Sequence, residues 1–99
     1  MARIRTHPGE ILAEAYLTPL DLSARSFAAE IGVPAHRVSE IIRGRRGISA
    51  DTAIRLGVRF GTTPQFWLNL QNAHDLSKAR ATVDDSGIRP REAEPAATS

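Results

Sequence analysis

ARSFAAEIGVPAHRVSEIIRG, residues 24–44, is the stretch that decides the fold. Ser23 can cap a helix that carries Phe27, Ala28 and Ile31 on one face, and Gly32 closes it. Pro34 opens a second helix with Val38, Ile41 and Ile42 inward, and Gly44 closes that one. Two helices joined through so short a turn must cross steeply. The crossing demands a small residue where the axes approach, a turn residue able to take positive φ, and apolar side chains that clamp the angle. Ala28 meets the first demand, Gly32 the second, and Phe27, Ile31, Val33, Val38 and Ile41 the third. The pattern is a helix-turn-helix.

Outward from this core, proline and glycine punctuate three further helices. Pro8 suits the first helical position, and Ile11, Leu12, Ala15 and Tyr16 follow at helical spacing until Pro19 ends the run. Ser49 can cap a fourth helix, with Asp51 near the positive end of its dipole and Ala53, Leu56 and Phe60 as its buried stripe; Gly61 ends it. Thr63-Pro64 starts a fifth, with Phe66, Trp67, Leu70 and Ala73 at helical spacing and continuation to about Ala81. No segment alternates with period two, so the expected fold class is all-α with five helices. From Thr82 onward Pro, Ser, Thr, Ala, Glu and Arg dominate, and Ile88 is the one large apolar residue after Val83. Such a composition cannot offset the entropy of ordering, so residues 82–99 are expected to form a disordered tail behind a helix-turn-helix domain over 1–81.

The chain has 99 residues, of which 41% are hydrophobic, enough for one modest core and not for two. It has no cysteine, which excludes disulfides, thiol chemistry and Cys-ligated zinc and is compatible with a reducing cytoplasm. No apolar run approaches the roughly 20 residues that span a bilayer, and Met1-Ala2-Arg3-Ile4-Arg5 leads into Pro8-Gly9-Glu10 instead of a signal-peptide stretch. A cytoplasmic protein with no membrane partner is the expectation. The net charge of +2 is unevenly spread: Asp84, Asp85, Glu92 and Glu94 outweigh Arg89 and Arg91 in the tail, leaving the helical part basic. Lys78 is the only lysine among the basic residues; the others are arginine, the side chain suited to bidentate phosphate and guanine contacts.

On the second helix of the motif the outward positions are Ala35, His36, Arg37, Ser39, Glu40 and Arg43, and these would face a major groove. Arg37 is the expected reader of a guanine through O6 and N7, and His36 and Ser39 are further donors. Glu40 either accepts from a cytosine amino group or pairs with Arg37 or Arg43 one turn away. Arg25 and the Arg43-Gly44-Arg45-Arg46-Gly47 tract flank this surface, and Arg25, Arg45 and Arg46 are the expected phosphate contacts. Such a tract by itself is more often a solvated basic surface; its attachment to a complete helix-turn-helix is what favours DNA. Phe66 and Trp67 are expected in the core, and Arg55 and Arg59 on a solvated face. His7, His36 and His74 have no metal-ligand spacing, and no nucleophile, zinc or phosphate-loop motif occurs, so neither catalysis nor a cofactor is expected.

HPGEIL at 7–12, Tyr16-Leu17 before Pro19-Leu20, the helix-turn-helix, GRRGIS at 44–49, DTAIRLGVRFG at 51–61 and PQFWLNLQ at 64–71 together closely resemble HigA-type antitoxins. These are helix-turn-helix proteins of the λ-repressor-like (XRE) superfamily, and the match runs through about residues 4–81. The resemblance implies a homodimeric bacterial antitoxin that represses its own operon and neutralises a HigB-type toxin, a RelE-like mRNA ribonuclease. Relatives carry Gly where this chain has Asp21, a residue that tolerates left-handed backbone, and more often Tyr where it has His74. Two rivals remain open at this point: a solitary XRE-type repressor without a toxin, and a protein-sequestering adaptor that has lost DNA binding.

Overall fold

The structure, a computed structural model, describes residues 3–91. Five helices follow in order: α1 (Pro8–Ile11), continuing directly into a π-helical segment Leu12–Leu17, then α2 (Ala24–Ile31), α3 (Ala35–Ile42), α4 (Ala50–Phe60) and α5 (Pro64–Arg80). No strand occurs among the described residues. Of the expected tail, residues 82–91 are exposed and carry only turns; 92–99 lie outside the described residues.

The helix starts are set by the residues expected to set them. Ser23 Oγ accepts the Ser26 amide at 3.1 Å, Ser49 Oγ the Thr52 amide at 3.2 Å and Thr63 Oγ1 the Phe66 amide at 3.1 Å, each satisfying an amide that the first turn leaves orphaned. His7 caps α1 in the same way, its Nδ1 accepting from the Gly9 amide at 2.9 Å. Gly32 closes α2 at φ 73°, and the Val33 amide then reaches back to the Ala28 carbonyl at 3.0 Å. Asp21, where the resemblance implies a glycine in relatives, takes φ 55°, with the Leu22 amide bonded to the Leu17 carbonyl at 2.9 Å. The left-handed turn is kept, and Asp is among the few residues that accept it.

The first helix departs from the expected register. Beyond Ile11 the hydrogen bonds lengthen to i→i+5, as in Thr18 N–H to Ala13 O at 2.8 Å, so residues five apart share a face. Leu12 and Leu17 are therefore the buried pair, whereas Ala15 is exposed and Ile11 and Tyr16 are half-buried. A 3.6-residue reading places Ala15 inward; the π turn rotates it out.

The core holds Leu12, Leu17, Phe27, Ala28, Ile31, Val33, Val38, Ile41, Ile48, Ala53, Leu56 and Trp67, so every clamp residue of the motif is buried. All five aromatic side chains form one cluster: Phe60 stacks on Phe27 at 5.2 Å, Tyr16 lies 4.4 Å from Phe60 and 5.3 Å from Trp67, and Phe66 meets Trp67 edge-on. Trp67 is fully buried, and its indole N–H donates to Thr62 Oγ1 at 2.8 Å. Phe66 departs from expectation. It remains 39% exposed, because its neighbour in sequence already fills the inward direction at the start of α5.

Packing closes around α3. α2 and α3 pack on one another, α4 packs on α5, and α1 lies against both α3 and α5. At the α1–α3 contact Gly9 sits against the Ile41 carbonyl so closely that a Cβ there would overlap the oxygen. The N-terminal segment runs back along α5: the Arg5 amide donates to Ser77 Oγ at 2.8 Å and the His74 ring nitrogen Nδ1 donates to the Arg5 carbonyl at 2.7 Å. His7 and His74 consequently meet edge to face, 4.8 Å between ring centroids, a pairing invisible in their sequence spacing. Among the described residues no group of three His, Asp or Glu is placed to hold a metal, and no helix is long and apolar enough to cross a membrane.

Candidate nucleic-acid interface

The core contacts of α3 fix what faces outward. Val38 and Ile41 are buried and Ile42 half-buried, which at about 100° per residue puts His36, Ser39, Glu40 and Arg43 on the opposite side. His36 and Arg43 are exposed at the centre of that ridge, Ser39 and Glu40 are half-buried beside them, and Ala35 is exposed at the entry of the helix. Arg37 sits at the edge of the ridge, turned toward α4. Its Nη1 lies 3.7 Å from Asp51 Oδ1, and the side chain is about one-third exposed.

Asp51 is itself a junction. In the first turn of α4 it accepts from Arg55 Nε at 2.8 Å, and Arg55 Nη1 donates to the Ile31 carbonyl at 2.8 Å and more weakly to the Gly32 carbonyl at 3.4 Å. Arg55 thus covers the carbonyls that α2 leaves unpaired at its C-terminus, and a positive charge there is favoured by the helix dipole. Arg59 ties the same two helices through Glu30 Oε1 at 2.7 Å. The expectation of a plain solvated face for Arg55 and Arg59 is corrected: both cross-link α4 to α2. An i,i+4 pairing of Asp51 with Arg55 was legible, but the carbonyl contacts depend on where α2 ends in space.

The phosphate candidates divide into two places. Arg25 is exposed in the first turn of α2, beside the Ser23 cap. Arg45 and Arg46 follow Gly44, whose φ of 75° reverses the chain so that the Arg45 amide bonds the Glu40 carbonyl at 2.8 Å. That reversal lays Arg46 back over α3. Its Nε and Nη2 both reach Glu40 Oε1, at 3.0 and 2.9 Å. Glu40 therefore pairs neither with Arg37 nor with Arg43 but with Arg46, six residues on, because the glycine turn folds the chain onto itself.

Gln71 is the residue that sequence reasoning passed over. It lies nine-tenths buried under the loop that follows the arginine tract, where its Oε1 accepts the Ile48 amide at 2.7 Å and its Nε2 donates to Asp75 Oδ1 at 2.9 Å. Gly47 approaches the amide so closely that a Cβ would sit 3.0 Å from it. The final Gln of PQFWLNLQ was the available signal, a polar residue one helical turn beyond the buried Trp67. His7 reaches the same region, since Gly44 lies against its ring. Burial first, and then the neighbouring His74, hold the His7 pKa below its ordinary 6.5.

Comparison with known proteins gives this geometry a setting. The Helix-turn-helix family matches residues 12–67. Virulence-associated protein I of Dichelobacter nodosus is 53% identical over 73 residues, covering 74% of this chain and 68% of that protein. A Pseudomonas aeruginosa protein solved in complex with its 18-base-pair operator DNA superposes with a TM-score of 0.84 at 42% identity, covering 92% of this chain and all of the other. The Pseudomonas aeruginosa antitoxin HigA, solved with the higBA promoter, gives a TM-score of 0.79 at 44% identity over 95% of this chain and 99% of that one.

Proposed function

Because this chain belongs to the helix-turn-helix family of HigA-type antitoxins, we propose that it binds the operator of its own operon as a homodimer and neutralises a HigB-type toxin, a RelE-like mRNA ribonuclease, in the bacterial cytoplasm. The observation that carries the DNA reading is the outward ridge of α3, free of core contacts and ending in an arginine tract. Residues 1–81 form the DNA-binding domain of this reading and 82–99 its tail. Ala35, His36, Arg37, Ser39, Glu40 and Arg43 enter the major groove; Arg25, Arg45 and Arg46 meet phosphates. A protein–protein adaptor needs no such ridge; a solitary repressor would share it, and the likeness to proteins named HigA antitoxins is what favours a toxin partner.

Dimerisation follows from reach. One recognition helix covers only a few base pairs, and two of them spaced about 34 Å apart match successive half-sites of a palindrome. The toxin belongs off the DNA ridge, since a repressing antitoxin must hold both partners. The amino-terminal segment Met1–Glu14 and the exposed side of α5 are its expected seats, ahead of the acidic tail, which has almost no apolar anchor.

The test combines binding and rescue. Arg37→Ala is expected to cost about 1–3 kcal/mol on a duplex from the protein's own promoter and relax preference at one base position, whereas Arg45→Ala weakens all duplexes alike. Equal losses for both on promoter and random DNA would overturn the assignment of the ridge. In co-expression with the toxin, both the Arg37→Ala chain and a chain truncated after Ala81 should restore growth; failure of the truncated chain would move toxin recognition into the tail.

A further inference from the structure

We propose that Glu40 and Arg46 form a latch that makes the Arg46 phosphate contact conditional on the base sequence in the groove. The inference rests on the DNA-binding reading above and adds a rule to it: one backbone contact is released only when Glu40 finds a better partner.

In the free protein Arg46 is held over α3 by Glu40. Both its Nε and its Nη2 are spent on one carboxylate oxygen, at 3.0 and 2.9 Å, and the Arg45 amide on the Glu40 carbonyl holds the chain in that return. The pair is nearly half exposed, 45% for Arg46 and 42% for Glu40, so it is weak enough to be exchanged. Glu40 is also the single carboxylate on the outward ridge of α3. In a major groove a carboxylate can only accept. Cytosine N4 and adenine N6 offer it a donor, while guanine O6 and N7 and thymine O4 offer only acceptors that repel it. Against a suitable amino group Glu40 exchanges one donor for another, and Arg46 swings to the backbone. Where guanine O6 and N7 or thymine O4 faces it instead, Glu40 has nothing to accept, keeps Arg46, and the protein binds with one fewer phosphate contact per protomer. Base readout and backbone affinity are then coupled through a single ion pair, which lowers non-specific binding without weakening the cognate site.

The salt dependence of binding reads this directly. Each phosphate contact contributes about 0.9 to the slope of log K against log salt, so a dimer should bind a duplex from its own promoter region with a slope steeper by about 1.8 than a shuffled duplex of the same composition. Glu40→Gln, which keeps the shape and removes the charge, should bring the shuffled duplex up to the steeper slope and raise its affinity at least about fivefold at about 0.1 M salt. Glu40→Ala should do the same, and melting curves matching the parent show that neither change acts through folding. Arg46→Ala should abolish the slope difference, and the Glu40→Gln/Arg46→Ala double variant should behave as Arg46→Ala alone on shuffled DNA. An unchanged slope and affinity of Glu40→Gln on shuffled DNA, or strict additivity of the two substitutions, would overturn the latch while leaving DNA binding intact. Failure of the parent protein to bind any duplex at low salt would overturn the DNA-binding reading, and the latch with it.

Discussion

Gln71→Met separates a hydrogen bond from the volume it occupies. The substitution keeps an unbranched side chain of nearly the same length under the loop, yet it removes the acceptor that holds the Ile48 amide at 2.7 Å and the donor that reaches Asp75 at 2.9 Å. The two losses are unequal. Asp75 is exposed and regains water, whereas Ile48 is buried and its N–H would be left without a partner. An orphaned buried amide costs about 1–3 kcal/mol, and in a domain of this size each kcal/mol lowers the melting midpoint by about 4–8 °C. A fall of about 4–24 °C is therefore expected in a melt followed by circular dichroism. Gln71→Glu supplies the control: it restores the acceptor but sets a second carboxylate against Asp75, and like charges that close raise the pKa of one of the pair. Its stability should rise as pH falls from 7 to 5, when a shared proton bridges the two, while Gln71→Met shows no such recovery. A midpoint for Gln71→Met within about 2 °C of the parent, well under the 4–8 °C expected per kcal/mol, would refute the reasoning, since the Ile48 amide would then not depend on this side chain.

His7 gives a pH dependence of known sign. Its Nδ1 must stay unprotonated to accept the Gly9 amide, and burial and His74 lower its pKa from 6.5 against the smaller opposing pull of Asp75 and Glu10. The unfolded chain takes up the proton first, so this part of the stability is complete above about pH 6.5 and is lost as pH falls through that value toward the folded pKa; His7→Asn, which retains an acceptor, should flatten the change in melts between pH 7.5 and 5.5. Two adjacent aromatics should differ: Trp67→Ala, fully buried, is expected to cost about 3–5 kcal/mol in urea unfolding and Phe66→Ala, partly exposed on the rim, about 1–2 kcal/mol. Comparable losses would contradict the observed burial. Asp21→Gly should raise the urea midpoint slightly, because a left-handed backbone costs a non-glycine residue up to about 1–2 kcal/mol, and Asp21→Val should lower it.

What the sequence determined by itself was everything written in local punctuation and periodicity. Ser23, Ser49 and Thr63 start helices by accepting amides three residues on, and Gly32 and Gly44 end them with positive φ; these are short-range effects that need no partner element. The clamp of Phe27, Ala28, Ile31, Val33, Val38 and Ile41 was equally legible, since a 3.6-residue repeat broken at one glycine leaves a single way to bury both stripes. The left-handed Asp21 came from the resemblance to relatives with glycine there and not from local punctuation. The tertiary structure alone decided the rest. The π turn at Leu12–Leu17 overrode the helical spacing, because packing α1 between α3 and α5 rewards Leu12 and Leu17 together. Arg55 on the Ile31 carbonyl, Gln71 on the Ile48 amide and His7 on His74 join residues 23 to 67 positions apart along the chain, distances over which no periodicity speaks. Arg46 on Glu40 is the intermediate case. The glycine was visible and the turn expected, but which charges meet after a chain reversal depends on the direction of return, and that is set by the backbone in three dimensions.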